Sequence, residues 1–390
     1  MKKTLLTICL VWMCFSLSAQ KIIDLSGKWS FSIDRQDNGE KEKWFSHTLN
    51  DFINLPGSMP EKLKGDEVTA KTQWTGSLYD SSYYYNPYME KYRKEGNIKF
   101  PFFLTPDKHY VGAAWYQKEV NIPADWKGER ILLFLERPHI ETTVWVNGQK
   151  TGMQNSLCVP HQYDITRYVR PGKCTITIRV DNRIKEINVG PDSHSITDQT
   201  QGNWNGIVGR ICLQTTPKTY FDDIQIYPEP EQKLARVKVV IKGTGTAKVK
   251  LSAESFNTDK KHIVQEIKLN KGVTETEMVL PMGNDMLLWD EFHPALYKLK
   301  AEVTNGKKTE IKEIQFGMRR FEIKGKWFYV NGRKTQLRGT VENCDFPLTG
   351  YAPMDVESWE RVFRICRNYG LNHMRFHSFC PPEAAFMAAD

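Results

Sequence analysis

A run near the end of the chain, LNHMRFHSFC at 371–380, sets a guanidinium at Arg375 and an imidazole at His377 within or just past an apolar strand. An arginine at a strand end presents a planar fork of donors to any nearby acid. From residue types alone, the chemistry open to this run is the pairing of that fork with a nearby acid. Phosphate and metal chemistry find less support. No glycine-rich phosphate loop occurs. The cysteines beyond residue 20 (Cys158, Cys174, Cys212, Cys344, Cys366 and Cys380) form no CxxC pair and no Cys/His cluster with metal-ligand spacing. They read as buried thiols, with one disulfide open to them in an oxidising compartment.

The elements that must position Arg375 are legible around it. Asp355 can cap a helix running to about Tyr369, because Val356, Trp359, Val362, Phe363, Cys366 and Tyr369 share one face. Gly370 is a stop signal. TQLRG at 335–339 reads as an earlier strand, and Pro381 and Pro382 suit the first turn of a following helix. The tail is therefore expected to be β-α-β-α, the opening of a parallel α/β unit. Two parallel strands cannot close a barrel or a two-faced sheet. Either another chain completes the unit, or the sequence is the front part of something larger.

Upstream, short alternating strands dominate. From about 22 to 227 the runs 25–33, 130–136 and 174–180 are separated by turn residues, and VWVNG at 144–148 is a hairpin signal, because Asn-Gly accepts the positive φ of a tight turn. This pattern predicts a sandwich of jelly-roll type. Residues 60–110 break the rhythm and are rich in tyrosine (Tyr79, Tyr83, Tyr84, Tyr85, Tyr88, Tyr92). Those rings could stack on sugar faces, but packing of the loop back onto the sandwich is the expectation. A second β region, about 221–317, fits an immunoglobulin-like sandwich. The predicted organisation is a signal segment at 1–20, a jelly roll at 21–220, an immunoglobulin-like sandwich at 221–320 and an α/β start at 321–390. No internal repeat or low-complexity segment appears.

Lys2 and Lys3, an apolar core from Leu5 to Leu17 and a small-residue zone at 18–20 read as a secretory signal, too short for a membrane anchor. The mature chain is expected to be soluble, exported and periplasmic. Its formal charge of +8 falls by two to +6 once Lys2 and Lys3 are removed, with basic and acidic residues interspersed. That is ordinary surface and no nucleic-acid footprint.

Several stretches together resemble glycoside hydrolase family 2, which includes β-galactosidases, β-glucuronidases and β-mannosidases. They are LSGKW at 25–29, LPGS at 55–58, AWYQKEV at 114–120, VWVNG at 144–148, HQYDIT at 161–166, LWDEFHPALY at 288–297 and FYVNGRKTQLRG at 328–339. They span nearly the whole mature chain, in the family's order. The resemblance implies a retaining glycosidase, β-galactosidase-like, acting on oligosaccharide or polysaccharide-derived β-glycosides. Some relatives use Mg²⁺ or Na⁺, but the residues show no nucleotide loop and no dedicated metal site, so no cofactor is expected. It also implies a homo-oligomer as an option for the full-length protein. It further implies a (β/α)8 barrel whose acid/base and nucleophile are glutamates on barrel strands four and seven, about 5–5.5 Å apart. The tail contains only strands one and two, so the catalytic pair is expected beyond residue 390 and this chain alone is expected to be inactive.

The resemblance implies a supporting shell as well. NHMR at 372–375 is similar to the family's second-strand motif, whose arginine sits beside the nucleophile, which makes Arg375 a site residue. The family's following histidine comes three residues later; here His377 comes at two and Ser378 at three. Asn343, Cys344 and Asp345 replace the usual His-Glu region after strand one. Asp345 then binds a sugar hydroxyl or satisfies local turn N–H groups. The stretch 192–210 resembles a loop reaching into the barrel mouth, with Asp198 as its sugar-contacting acid, Trp204 as a flat apolar face and His194 nearby. A non-catalytic carbohydrate-binding or scaffold protein is the competing reading.

Overall fold

The computed structural model describes residues 20–76, 81–99, 104–185, 190, 192–243, 245–272 and 275–390. The signal segment, Gln20 apart, lies outside them, as do Tyr79 and the side chains of Tyr83 and Tyr84. The fold is mainly β. In the first unit, one sheet runs in the order Ile22–Asp24, Gly206–Thr216, Arg130–His139, His161–Asp164, with Gly57–Ser58 also pairing on Gly206–Thr216. The other runs Gln149–Asn155, Glu141–Val146, Gly172–Asp181, Ala113–Ile122, Gly27–Asp34, Asp51–Leu55. All of these pairs are antiparallel.

Alternation explains the core. Cys174, Ile176, Ile178 and Val180 point one way from their strand and meet Leu133, Leu135, Ile207 and Leu213 of the other sheet. The opposite face of the same strand is not left to solvent. Trp115 and Trp145 stack there at 5.0 Å between ring centroids, with Leu49 beneath. The expected hairpin at 144–148 forms, with Asn147 and Gly148 both at positive φ (49° and 77°) as a tight primed turn needs.

Beside the tryptophans lies a buried ionic cluster. The Asp181 carboxylate, fully buried, accepts from Arg179 (2.9 Å) and Arg183 (2.6 Å) and pairs with Lys185 (2.7 Å). Burial alone would raise this carboxyl, but the hydrogen bonds from Arg183 and Lys185 and the charge of Arg179 outweigh it and hold the group well below the ordinary carboxylate range. A depressed folded value contributes stability above the unfolded value, about 4, and that contribution is withdrawn as the pH falls through the folded one. Asp181→Asn should therefore destabilise the chain by about 2 kcal/mol at neutral pH, because it removes the buried charge that Arg179, Arg183 and Lys185 share and leaves them only Asp37 and Glu141. Urea melts at pH 7 and below pH 4 should show the gap between variant and wild type shrinking in acid. An equal gap at both would remove Asp181 from this role.

The second unit pairs Tyr220–Glu229, Leu234–Lys242 and Glu275–Pro281 in one sheet, and Ile263–Gly272, Thr246–Ser255, Tyr297–Asn305 and Lys308–Phe316 in another. Val237, Val239, Val249, Leu251, Leu299 and Ala301 fill the space between them.

Three details of the sequence reading change. Thr335 closes an antiparallel hairpin, Trp327–Val330 with Arg333–Thr335, and the first parallel strand lies later, at Gly339–Glu342. The Asn331-Gly332 turn dictates this, because it fixes Arg333 opposite Val330. Pro381 and Pro382 precede their helix, which is Glu383–Ala389, and Pro382 is extended (ψ 162°) at the N-cap. The tyrosine-rich loop does not fold wholly back: Tyr85 and Tyr88 are 83% and 85% exposed. A two-strand pairing of Asp66–Glu67 with Lys108–His109 brackets it. The helix Val356–Asn368 matches expectation, with Asp355 accepting from the Ser358 N–H at 2.8 Å and Gly370 left-handed at φ 77°. The six cysteines are unbridged; Cys174, Cys212 and Cys344 are buried and Cys380 is exposed.

Candidate functional site

The strands Gly339–Glu342 and His373–Phe376 run parallel, with Val341 opposite Arg375 and Glu342 opposite Phe376. Met374 and Phe376 pack with Trp359 and Phe363 of the helix. Alternation then puts Val341 and Arg375 on the face away from that helix, where both are exposed. Arg375 makes no hydrogen bond or ion pair among the described residues. It stands on an open face at a strand end, as the sequence implies.

Both strands finish alike. Asn343 and His377 are the first residues past them, and each is followed by a residue at positive φ, Cys344 at 56° and Ser378 at 54°. Asn343 is exposed and its chain turns under a hydrogen bond from the Cys344 N–H to Glu342 (2.8 Å). The His377 N–H continues the ladder to the Glu342 carbonyl at 2.9 Å. Asp345 is half-buried, and burial pushes its carboxyl up to about 6. A carboxyl in that range exchanges a proton near neutral pH and can donate to or accept from a hydroxyl.

The loop at 192–205 reaches from the first unit to these strand ends. His194 meets His377 edge to face at 4.5 Å. Trp204 is buried between His139, stacked at 4.6 Å and 17°, and Tyr351 at 5.6 Å. Gly350 sits against its ring so closely that a Cβ would lie 2.9 Å from it. Trp204 thus spends its flat face on the seam between the first unit and the tail at 321–390. Asp198 turns inward: its carboxylate accepts from the Thr75 and Asn203 N–H groups (2.6 and 3.2 Å) and faces His109 at 3.3 Å. The structure thus gathers His194, His377, Asn343 and Asp345 at one edge with Arg375 on the adjoining face, and it sets Asp198 and Trp204 behind them.

Four residues absent from the sequence reading complete the seam. Gln201 donates its side-chain amide to the carbonyls of Asn343 (3.0 Å) and His377. Arg137 donates to the carbonyls of Cys380 (2.8 Å) and Pro381 (3.3 Å). The Tyr351 hydroxyl donates to Glu61 at 2.8 Å. His139, buried, is pushed down to about 3 and stays neutral. Gln201 lay in the same polar, Gly-containing run as Asp198 and Trp204, but no periodicity separates an inward amide from its neighbours. Arg137 stood inside an apolar strand, where an inward charge is the only available signal. A cavity of about 40 Å³ lies among Arg137, His139, Gln201, Trp204, Cys344 and Tyr351. Among the described residues no group of three or more His, Cys, Asp or Glu is placed to hold a metal, and no helix is long and apolar enough to cross a membrane.

Known proteins share this fold. Over 96% of its length the chain superposes on 58% of the β-glucuronidase of Ruminococcus gnavus, with a TM-score of 0.69 at 19% identity, a likeness of fold. It is 24% identical to a β-glucuronidase of Paenibacillus borealis over 85% of this chain and 51% of that one. It is 23% identical to a β-galactosidase of Oenococcus oeni over 91% of this chain and 33% of that one. The chain spans about half the length of these curated relatives, or less. The family model for the sugar binding domain of glycosyl hydrolases family 2 matches residues 22–217, and a second family 2 model matches 219–319. With the first of these alone covering half of its residues, the chain belongs to glycosyl hydrolase family 2.

Proposed function

We propose that this chain is the sugar-facing front part of an exported, periplasmic glycosidase that hydrolyses terminal β-glycosides with retention of configuration. In this reading 21–220 is a jelly-roll domain, 221–320 an immunoglobulin-like sandwich and 321–390 the opening of a (β/α)8 barrel. The observation that carries it is the docking of the 192–205 loop onto the ends of the parallel strands, the place where a barrel builds its site. Arg375 holds the nucleophile, and Asp345 and His377 contact sugar hydroxyls. The two glutamates of the reaction belong to later barrel strands. Of the tail acids here, Glu342 is tied to the Cys344 N–H and Glu383 to Arg210 at 2.6 Å.

The 390-residue polypeptide should release no phenol from aryl β-galactosides or aryl β-glucuronides. The protein that carries these residues together with the remaining barrel should cleave one of them, and NMR of the first-formed sugar should show the β anomer. An α anomer would overturn retention. Binding of the sugars by that longer protein without turnover would establish the carbohydrate-binding reading instead. Turnover by the 390-residue chain, abolished by Glu342→Gln, would place catalysis here.

A further inference from the structure

We propose that Gln201 is a positioning residue: its single amide group fixes the spacing between the two strand-end loops that carry Asn343, Asp345 and His377. Gln201 is 5% exposed and belongs to the first unit, yet both of its N–H bonds leave that unit. One goes to the carbonyl of Asn343, just past Gly339–Glu342, and the other to the carbonyl of His377, just past His373–Phe376. The two N–H directions of one planar amide are fixed by covalent geometry, so the two carbonyls are held at a set separation and angle.

The backbone on either side needs such a hold. Each captured carbonyl is followed by a non-glycine residue at positive φ, Cys344 and Ser378, a conformation that costs about 1–2 kcal/mol when nothing compensates it. With Gln201 removed, two carbonyls in a part-buried seam lose their donors. Each loop can then relax toward ordinary backbone angles, which swings Asn343 and Asp345 relative to His377. Arg137 supports the same turn from its far side, through the carbonyls of Cys380 and Pro381. It touches only the second loop, whereas Gln201 bridges both. The catalytic weight of this role rests on the glycosidase reading above; the structural part does not.

Two variants test it. Gln201→Glu keeps the shape but sets an acceptor against two carbonyls, and Gln201→Leu removes the polarity. In the 390-residue chain, hydrogen exchange at residues 343–345 and 377–379 should quicken about 10-fold or more in both variants, because the carbonyl anchors are gone. Exchange in the strand Gly172–Asp181 should stay as in the wild type. Unchanged exchange at both loops would overturn the proposal, and so would equal loosening of Gly172–Asp181, which would make Gln201 a structural residue of the first unit. In the longer protein, kcat/KM on an aryl β-glycoside should fall about 10²-fold, the scale of a small displacement of reacting groups, with most of the loss in kcat. A loss confined to KM would overturn the positioning role. If the longer protein turns over no glycoside at all, the glycosidase reading fails while the exchange result still decides the role of Gln201.

Discussion

Replacing Arg375 by lysine should lower kcat/KM by about 10²-fold or more in the protein that carries the remaining barrel, about 2.7 kcal/mol of transition-state stabilisation. The expectation starts from the strand. Arg375 is paired opposite Val341, one residue before the strand ends, on the face that the helix Val356–Asn368 does not cover. Its side chain is exposed and has no acid partner among the described residues. On the retaining-glycosidase reading proposed above, a guanidinium left free at a strand end would receive the ionised carboxylate nucleophile. Its planar fork would orient that carboxylate with two parallel N–H donors, and its charge would keep it ionised. Lysine keeps the charge and loses the fork, so it should not rescue the rate. Stability should stay within about 0.5 kcal/mol, because the side chain is exposed and makes no ion pair among the described residues. Near wild-type kcat/KM would remove Arg375 from the site. A variant that fails to fold would make it a structural residue.

Period and punctuation made most of the architecture legible in the sequence. Cys174 to Val180 alternates because one face of that strand meets the other sheet, and Asn147-Gly148 marks the hairpin of Glu141–Val146 with Gln149–Asn155 because both residues must take positive φ. Asp355, the 3.6-residue face of Trp359 and Phe363, and Gly370 delimit the helix within a residue or two. What stayed hidden has a common physical origin. Thr335 and Gly339 sit in one apolar-polar run, and only the hairpin register separates the antiparallel strand from the parallel one. Asp198 and Trp204 carry the residue types of a sugar site, yet partners distant in sequence draw them away from it, Asp198 into the first unit by Thr75 and His109 and Trp204 into the seam by His139 and Tyr351. Gln201 and Arg137 act through backbone carbonyls, which every residue has, so no sequence pattern announces their partners. The shell of the site is thus written in long-range contacts, while its strands are written in local ones.

Trp359→Ala should detach the helix from the strand that presents Arg375. Trp359 is 2% exposed, its indole N–H donates to the Pro353 carbonyl at 2.8 Å, and its ring meets Phe363 at 5.8 Å and Phe376 at 5.5 Å. The cluster around it is small: its other buried members are Cys344, Ala352, Ala384 and Ala385. The half-buried Phe363, Met374 and Phe376 pack against them. The cost should therefore sit in the range of about 3–5 kcal/mol seen when a buried aromatic is truncated to alanine. It falls on the tail alone, because the first unit keeps its own core of residues from two sheets. Phe376 would lose its aromatic partner, and Arg375, its neighbour on the opposite face, would lose the rigid strand beneath it. Amide exchange at 373–376 should quicken by about 10²-fold or more, while the Gly172–Asp181 amides keep their wild-type protection. Trp359→Phe, which refills part of the space, should recover much of the loss. Equal protection of 373–376 in Trp359→Ala and the wild type would show that the parallel pair is held by the seam through Gln201 and Arg137 and owes little to its own helix.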